Sequence, residues 1–440
     1  MLMDLGKKVF LCVIFCSIMG AVSYQAHAQT AGAPTSATGL PQVFADAEKQ
    51  TRLLLKEIAA AQGAELFSPR TLENGRLKLV TSRDWTSGFF PGELWMLYRY
   101  THKKEWKGEA ETFTAKMEKE KTNGGTHDMG FKIWCSFGNG YRLATDPNFE
   151  NDFPAEFQRG YKEVILQSAR TLSTRFNPRI GCIRSWDHHA NLWGFPVIID
   201  NMMNLELLFE ATKLSGDSSF YKIAVSHANT TMKNHYRSDY SSFHVVDYDS
   251  ATGKVVKKMT WQGYSDGSAW ARGQAWGLYA YTMCYRETGD SAYLRQADGI
   301  AQFILHHPRL PEDKVPYWDF DVPGIPAGAD AARRVAGTGN NGVSAEPQRV
   351  DTVPRDASAG AVIASALYEL SRYSRNGVEY LDAADKILAS LTNKYRSPVG
   401  DNKGFILLHS TGSRPSNSEV DVPINYADYY YLEALLRSGE

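Results

Sequence analysis

The feature that most constrains this chain is an alternation of two kinds of helical segment along its length. One kind is amphipathic and charged: 43–61, 105–121, 157–176, 219–235, 292–306 and 379–395. The other is rich in Gly, Ala and aromatic residues and poor in charge: 87–101, 129–144, 197–214, 268–288, 357–373 and 426–437. A charged amphipathic helix keeps one face in water, whereas a helix without a polar face must be surrounded by protein. Six of each in strict alternation predict an all-α ring of outer and inner helices, an (α/α)6 barrel. No hairpin can bury its inner face alone, so residues 41–440 are expected to form one domain. An open helical solenoid competes with this reading, but it needs a terminal helix with a polar outer face, which the last inner segment lacks.

The joints agree with this pattern. Ser215-Gly216-Asp217 and Thr288-Gly289-Asp290 place a glycine where one helix stops and a polar cap where the next begins. Residues 243–260 alternate and turn at Ala251-Thr252-Gly253-Lys254, which predicts a small β-hairpin on the rim. Residues 308–354 are long and rich in Pro and Gly, as expected of a rim loop near a binding mouth.

The N-terminus carries a different message. Lys7 and Lys8, an apolar run over 9–22 and Ala26-His27-Ala28 read as a secretory signal of residues 1–28. The run is short for a membrane span, and no span is expected in the mature chain. Residues 29–40 read as a flexible leader, and a periplasmic location is expected. Cys12 and Cys16 fall in the signal. Cys135, Cys182 and Cys284 cannot all pair and show no CxxC spacing, so buried thiols are expected. The net charge of −1 gives no reason to expect nucleic acid as a partner. The oligomeric state stays open.

Carboxylates dominate the candidate chemistry, because no Walker-type phosphate loop (GxxxxGK[ST]) and no HExxH is present. Asp200 lies in Val197-Ile198-Ile199-Asp200-Asn201-Met202-Met203-Asn204, flanked by apolar residues. Burial there raises its pKa, as a general acid near neutral pH requires. The alternative is a structural Asp satisfied by Asn204 or a backbone donor. Asp128, in Thr126-His127-Asp128-Met129-Gly130-Phe131, opens an inner helix and is either a second carboxylate of the site or a helix cap. Arg272 and Trp276 are four apart and share a helix face, where they can grip a sugar carboxylate and stack on its ring. Arg272 can equally be a core residue paired with Asp356. Trp85 and Trp186 are stacking walls or core. Asp187, His188 and His189 read as polar rim rather than a metal site, and no metal or cofactor is expected. Aromatics make up 12% of the chain, with 10 Trp and 23 Tyr, which suits sugar binding and a helical core equally.

Five ordered stretches together resemble the unsaturated glucuronyl hydrolases, glycoside hydrolase family 88. They are Trp-Thr-Ser-Gly-Phe-Phe-Pro-Gly at 85–92, His-Asp-x-Gly-Phe at 127–131 and Ile-Asp-Asn-Met-Met-Asn at 199–204. Ser-x-Trp-Ala-Arg-Gly-Gln-Ala-Trp at 268–276 and Asp-Tyr-Tyr-Tyr-Leu-Glu-Ala-Leu at 428–435 complete the set. The resemblance spans roughly 80–437 and implies an (α/α)6 barrel. It implies Asp200 as general acid and base and Asp128 as the second essential carboxylate. Trp85, Trp186, His244, Thr260, Gln262, Arg272 and Trp276 fall at its substrate-contacting positions.

The implied substrates are unsaturated glycosaminoglycan di- or oligosaccharides left by polysaccharide lyases. The implied reaction is hydration of the C4=C5 enol ether, which needs no covalent glycosyl intermediate and so differs from ordinary two-carboxylate hydrolysis. Sulfate-recognising members carry Ser-x-x-Ser-x-Lys before the last helix. Here Ser413 and Ser416 are kept and Ser418 stands where the Lys would be, so a preference for a 6-sulfated unit does not carry over, unless Arg414 substitutes. Unsaturated rhamnogalacturonyl hydrolysis of pectin fragments and non-catalytic periplasmic glycan binding are the alternative functions. A sugar epimerase on the same barrel would need a histidine pair that no inner segment carries.

Overall fold

A computed structural model describes residues 39–440 apart from 62, 64, 326–352 and the side chain of residue 150. The predicted signal at 1–28, nearly all of the leader and most of the predicted rim loop at 308–354 lie outside the described residues.

Helices dominate what is described. In chain order they are α1 (Leu40–Ala60), α2 (Phe89–Thr101), α3 (Lys104–Ala115), α4 (Asn139–Ala144), α5 (Ala155–Ser173) and α6 (Leu205–Ser215). The order continues with α7 (Ser218–His235), α8 (Ala271–Thr288), α9 (Ser291–Leu305), α10 (Ala357–Leu370), α11 (Gly377–Ser390) and α12 (Asn425–Ser438). The alternation read from sequence holds in burial. Every residue of α10 is buried, as are residues 271–284 of α8 and 425–435 of α12. In α5, by contrast, only Val164, Ile165, Ser168, Ala169, Thr171 and Leu172 are buried, a stripe at helical spacing.

The buried helices pack in sequence. α2 meets the wide turn ahead of α4, that turn meets α6, α6 meets α8, α8 meets α10, α10 meets α12, and α12 returns to α2. The even helices α2, α6, α8 and α10 are each backed by the helix that follows them, α3, α7, α9 and α11. Gly216 and Gly289 sit in the left-handed region at φ 76° and 69° and end α6 and α8. Asp217 and Asp290 then cap α7 and α9 by accepting from the backbone N–H of Ser219 and Ala292.

Two inner segments differ from the sequence reading. Residues 197–214 are not one helix. Phe195–Ile198 is a strand, Ile199–Asn204 a 3-10 turn, and α6 begins only at Leu205. The apolar β-branched run at 197–199 fits a buried strand as well as a buried helix, and pairing with a second strand decides it. The segment 129–144 opens as a π-helical turn, Gly130–Gly138, before α4. Among the outer segments, α3 stops at Ala115 and a 3-10 turn follows at Glu118–Thr122.

Short strands are also commoner than the sequence suggested. They are β1 (Ser68–Glu73), β2 (Arg76–Val80), β3 (Phe176–Asn177), β4 (Cys182–Ile183) and β5 (Phe195–Ile198). β6 (Val245–Tyr248), β7 (Val255–Met259), β8 (Ser410–Ser413) and β9 (Ser418–Val422) follow. The predicted hairpin is β6–β7, antiparallel with Val245 opposite Met259. β5 adds a third strand, with Ile198 opposite Val245. Cys135, Cys182 and Cys284 are buried free thiols. Among the described residues no helix is long and apolar enough to cross a membrane.

Candidate active site

Two backbone features bring the aspartates together. β5 hydrogen-bonds into the rim sheet, and the Ile199 N–H donates to the His244 carbonyl at 2.9 Å, which fixes the start of the turn carrying Asp200. At the far end of that turn, Asn204 Oδ1 accepts from the N–H groups of Gly130 (2.8 Å) and Phe131 (3.2 Å), just after Asp128. Asn204 therefore caps the Asp128 segment rather than satisfying Asp200. The approach is close: a Cβ on Gly130 would lie 2.6 Å from the Asn204 Cα.

Asp128 and Asp200 both line a cavity of about 140 Å³, together with Arg70, Trp85, His127, Phe131, Trp186, Gln262, Arg272, Ser413, Ser418, Glu419 and Tyr426. Asp200 is 8% exposed and its Oδ2 has no hydrogen-bond partner. Burial pushes its carboxyl up to about 7, against the charge of Arg272 and its own backbone N–H; Asp128 adds a further upward push, and the Trp276 indole acts downward. Burial outweighs Arg272 because the guanidinium is already engaged. Its Nη1 pairs with Asp356 Oδ2 at 2.8 Å, and Nη1 and Nη2 donate to the carbonyls of Thr411 and Gly412. The guanidinium fork expected to be free for a sugar carboxylate is thus occupied, and the Asp356 pairing is realised; Nε alone is unpartnered.

His244 faces Asp200, with Nε2 3.6 Å from Oδ2. Its Nδ1 accepts from the backbone N–H of Trp261 (3.0 Å) and Gln262 (3.1 Å). Burial, with Arg272 and His235 nearby, pushes the imidazole down to about 3. The ring is therefore neutral, and its single proton sits on Nε2, pointing at the carboxyl. Asp128 takes the Thr126 hydroxyl on Oδ2 at 2.9 Å, and His127 Nε2 lies 3.2 Å from Oδ1. Among the described residues only the Thr126 hydroxyl hydrogen-bonds to the Asp128 carboxylate, so that side chain does not cap the following helix.

Trp85 packs among Phe89, Phe131 and Tyr426, with ring centroids 5.1–5.9 Å apart. Trp186 stacks on His188 at 5.3 Å and meets His244 edge-on at 5.9 Å. Gln262 reaches across to the Gly412 carbonyl at 3.0 Å. Ser413 lines the cavity and donates to Ser416 Oγ at 3.1 Å, while Ser416 itself is exposed on the rim. Trp276 is fully buried behind the cavity wall against Phe131 and Tyr430. Thr260 Oγ1 accepts from the Gly263 N–H at 2.8 Å and holds the loop before α8, outside the cavity lining. Asp187 is clamped by both Arg175 Nη atoms, at 2.7 and 2.9 Å.

Four titratable lining groups escaped sequence reasoning: Arg70, His127, Glu419 and Tyr426. Arg70 binds Glu419 through Nε (2.5 Å) and Nη2 (3.0 Å), and Asp84 through Nη1 (2.6 Å). Only long-range packing joins them. His127 was legible in principle, as the neighbour of a candidate carboxylate.

This geometry has close relatives. The chain is 50% identical over 359 residues to the unsaturated glucuronyl hydrolase of Formosa agariphila, covering 81% of this chain and 80% of that protein. It is 31% identical over 382 residues to the unsaturated chondroitin disaccharide hydrolase of Streptococcus agalactiae, covering 85% and 86% respectively. The crystal structure of an unsaturated glucuronyl hydrolase specific for heparin superposes with a TM-score of 0.78 at 42% identity, covering 91% of this chain and 97% of that one. No family model matches the chain.

Proposed function

The chain belongs to the unsaturated glucuronyl hydrolases, and from that membership we propose that Asp200 drives the hydration of a 4,5-unsaturated uronic acid. The protein is a glycoside hydrolase. Its substrates are lyase-generated glycosaminoglycan di- or oligosaccharides, from which it removes the unsaturated uronic acid at the non-reducing end. The observation that carries the assignment of Asp200 is a buried carboxyl raised to about 7, with a free Oδ2, inside an aromatic-walled cavity.

The substrate double bond is an enol ether conjugated to a carboxylate. Protonated Asp200 gives its proton to C4, and positive character develops on C5 and the ring oxygen. The carboxylate left behind takes a proton from water as the water oxygen bonds to C5. The hemiketal collapses, the ring opens, and the partner sugar leaves with its own oxygen. One residue thus serves as acid and then base, and leaves the cycle protonated as it began. The Nε2–H of His244 steadies the Asp200 carboxylate between the two steps. Burial, with a smaller push from neighbouring Asp128, keeps the Asp200 proton in place at neutral pH. Trp85 and Trp186 offer ring faces to the sugar.

The circuit of buried helices, most backed by an outer one, supports an (α/α)6 toroid as the architecture. Residues 1–28 support export to the periplasm, which cell fractionation tests.

Unsaturated uronates absorb in the far ultraviolet, and hydration removes the band. The test is incubation with lyase-digested chondroitin, hyaluronan, heparin and pectin. Loss of absorbance on one or more glycosaminoglycan digests is expected, with Asp200→Asn retaining binding and losing at least about a thousandfold in turnover. Loss on pectin fragments alone would replace the substrate class, and no loss on any digest would overturn the reading.

A further inference from the structure

Beside the cavity stands a cluster of aromatic rings that the chemistry described above does not use. They come from the loop between β4 and β5 and from the residue before Gln262. Trp186 lines the cavity, whereas His188, His189, Trp193 and Trp261 do not. The five are joined ring to ring. Trp186 lies 5.3 Å from His188, with the planes 26° apart, and 5.1 Å from Trp193. His189 and Trp193 each lie 5.3 Å from the Trp261 ring. Trp193 forms a buried floor at 3% exposure, Trp186 and Trp261 are half-buried, and both histidines are exposed.

The loop is braced. The Trp193 indole N–H donates to the His188 carbonyl at 2.7 Å, Arg184 Nε donates to the Trp186 carbonyl at 2.9 Å, and Lys257 Nζ holds the Leu192 carbonyl. His189 sits at φ 55°, in the left-handed region that disfavours a β-carbon, and the Leu192 N–H closes the turn on its carbonyl at 2.8 Å. That turn sets the imidazole beside the Trp261 ring. Asp187, the one carboxylate of the loop, is neutralised by Arg175 and Arg184. A braced aromatic surface with its charge balanced offers ring faces to the C–H faces of sugars and does not repel an anionic chain.

We propose that this platform is an outer sugar-binding site, which takes the residues beyond the disaccharide unit when the substrate is an unsaturated oligosaccharide. The inference rests on the reading of the cavity as the place where the unsaturated ring is hydrated. Continuity names the occupant. Trp186 belongs to both the cavity wall and the platform, with its ring 6.5 Å from that of Trp261, and Gln262 of the cavity wall follows Trp261 directly. The unsaturated ring is the non-reducing end of its chain, so every further sugar extends outward from the cavity. Stacking on the platform involves no bond that reacts. It therefore lowers KM for a longer substrate and leaves kcat alone.

The experiment measures kcat and KM on the unsaturated disaccharide and the unsaturated tetrasaccharide of the same lyase digest, for wild type, Trp261→Ala and His189→Gly, with thermal unfolding of each. Wild type is expected to show a tetrasaccharide KM roughly fivefold below that of the disaccharide, at similar kcat. Trp261→Ala is expected to bring the two KM values within about twofold of each other, with disaccharide kinetics unchanged. His189→Gly keeps the left-handed turn, which glycine adopts freely, and removes only the ring. It is expected to lose part of the same advantage with little loss of stability, and it carries the test if Trp261→Ala does not fold. A tetrasaccharide advantage that survives in the variants overturns the inference, as does an equal fall on both substrates, which marks a structural role. Wild type that hydrates neither substrate overturns the hydrolase reading, and the inference with it, whereas an active wild type with equal KM values overturns the platform alone.

Discussion

Replacing Asp200 with Asn removes an ionisable group while keeping its shape. The folded protein holds the Asp200 proton up to about pH 7, whereas the unfolded chain releases it at about 3.9. A carboxyl whose folded pKa is raised contributes full stability below the unfolded pKa and loses it as pH rises through the folded one. Between those limits the unfolded state binds fewer protons, and each pH unit costs about 1.4 kcal/mol. Asn titrates in neither state. From pH 5 to pH 8 wild type therefore loses roughly 3 kcal/mol that Asp200→Asn retains. Spread over about 400 folded residues at roughly 2.1 cal/mol/K of unfolding entropy each, this moves Tm by about 3–4 °C. Scanning calorimetry of both proteins at pH 5, 6, 7 and 8 gives the measurement, read as the difference in Tm. The buried histidines His227, His235 and His244 are common to both proteins and largely cancel in that difference. The gap is expected to widen in favour of Asn up to about pH 7 and then level off. A gap constant across the range would mean that Arg272 keeps Asp200 ionised throughout, and would refute both the burial argument and its role as an acid.

Three further substitutions probe the frame of the site. Gly130→Ala forces a methyl against the Asn204 backbone; a destabilisation of about 1–3 kcal/mol and a clear fall in kcat/KM are expected, and unchanged kinetics would show that this contact does not set the aspartate pair. Arg272→Met leaves the fully buried Asp356, which also caps α10, without its counter-charge; thermal or denaturant unfolding should show a loss of about 3–5 kcal/mol, and a loss below 1 kcal/mol would count against a structural anchor. Trp186→Ala removes one aromatic wall; losing about 1 kcal/mol of ring contact raises KM roughly fivefold with kcat little changed, and a fall in kcat alone would assign Trp186 to the chemistry instead.

Much of the architecture is local information. The charge and aromatic alternation marks which helices are solvated, because a helix face repeats every few residues and its neighbours in sequence report it. The glycine stops at 216 and 289, the Asp caps that follow them and the hairpin at 243–260 are equally local. So is the candidacy of Asp200, since a carboxylate amid apolar residues is costly wherever it folds unless something compensates it. What the sequence left open depends on partners far along the chain. An apolar run at 197–199 suits two periods, and pairing of β5 with β6 makes it a strand. Asn204 read as a partner for Asp200, yet a glycine 74 positions earlier in the chain approaches closely enough to claim its side-chain oxygen. Arg272 read as a free sugar clamp or a core pair, and two carbonyls some 140 positions away settle its Nη atoms. Arg70 and Glu419 are separated by 349 positions and meet at the cavity rim. Local pattern decides which groups are buried. Only the packed tertiary structure decides which donor each buried acceptor receives, because that is set by approach distances between segments that sequence order does not encode.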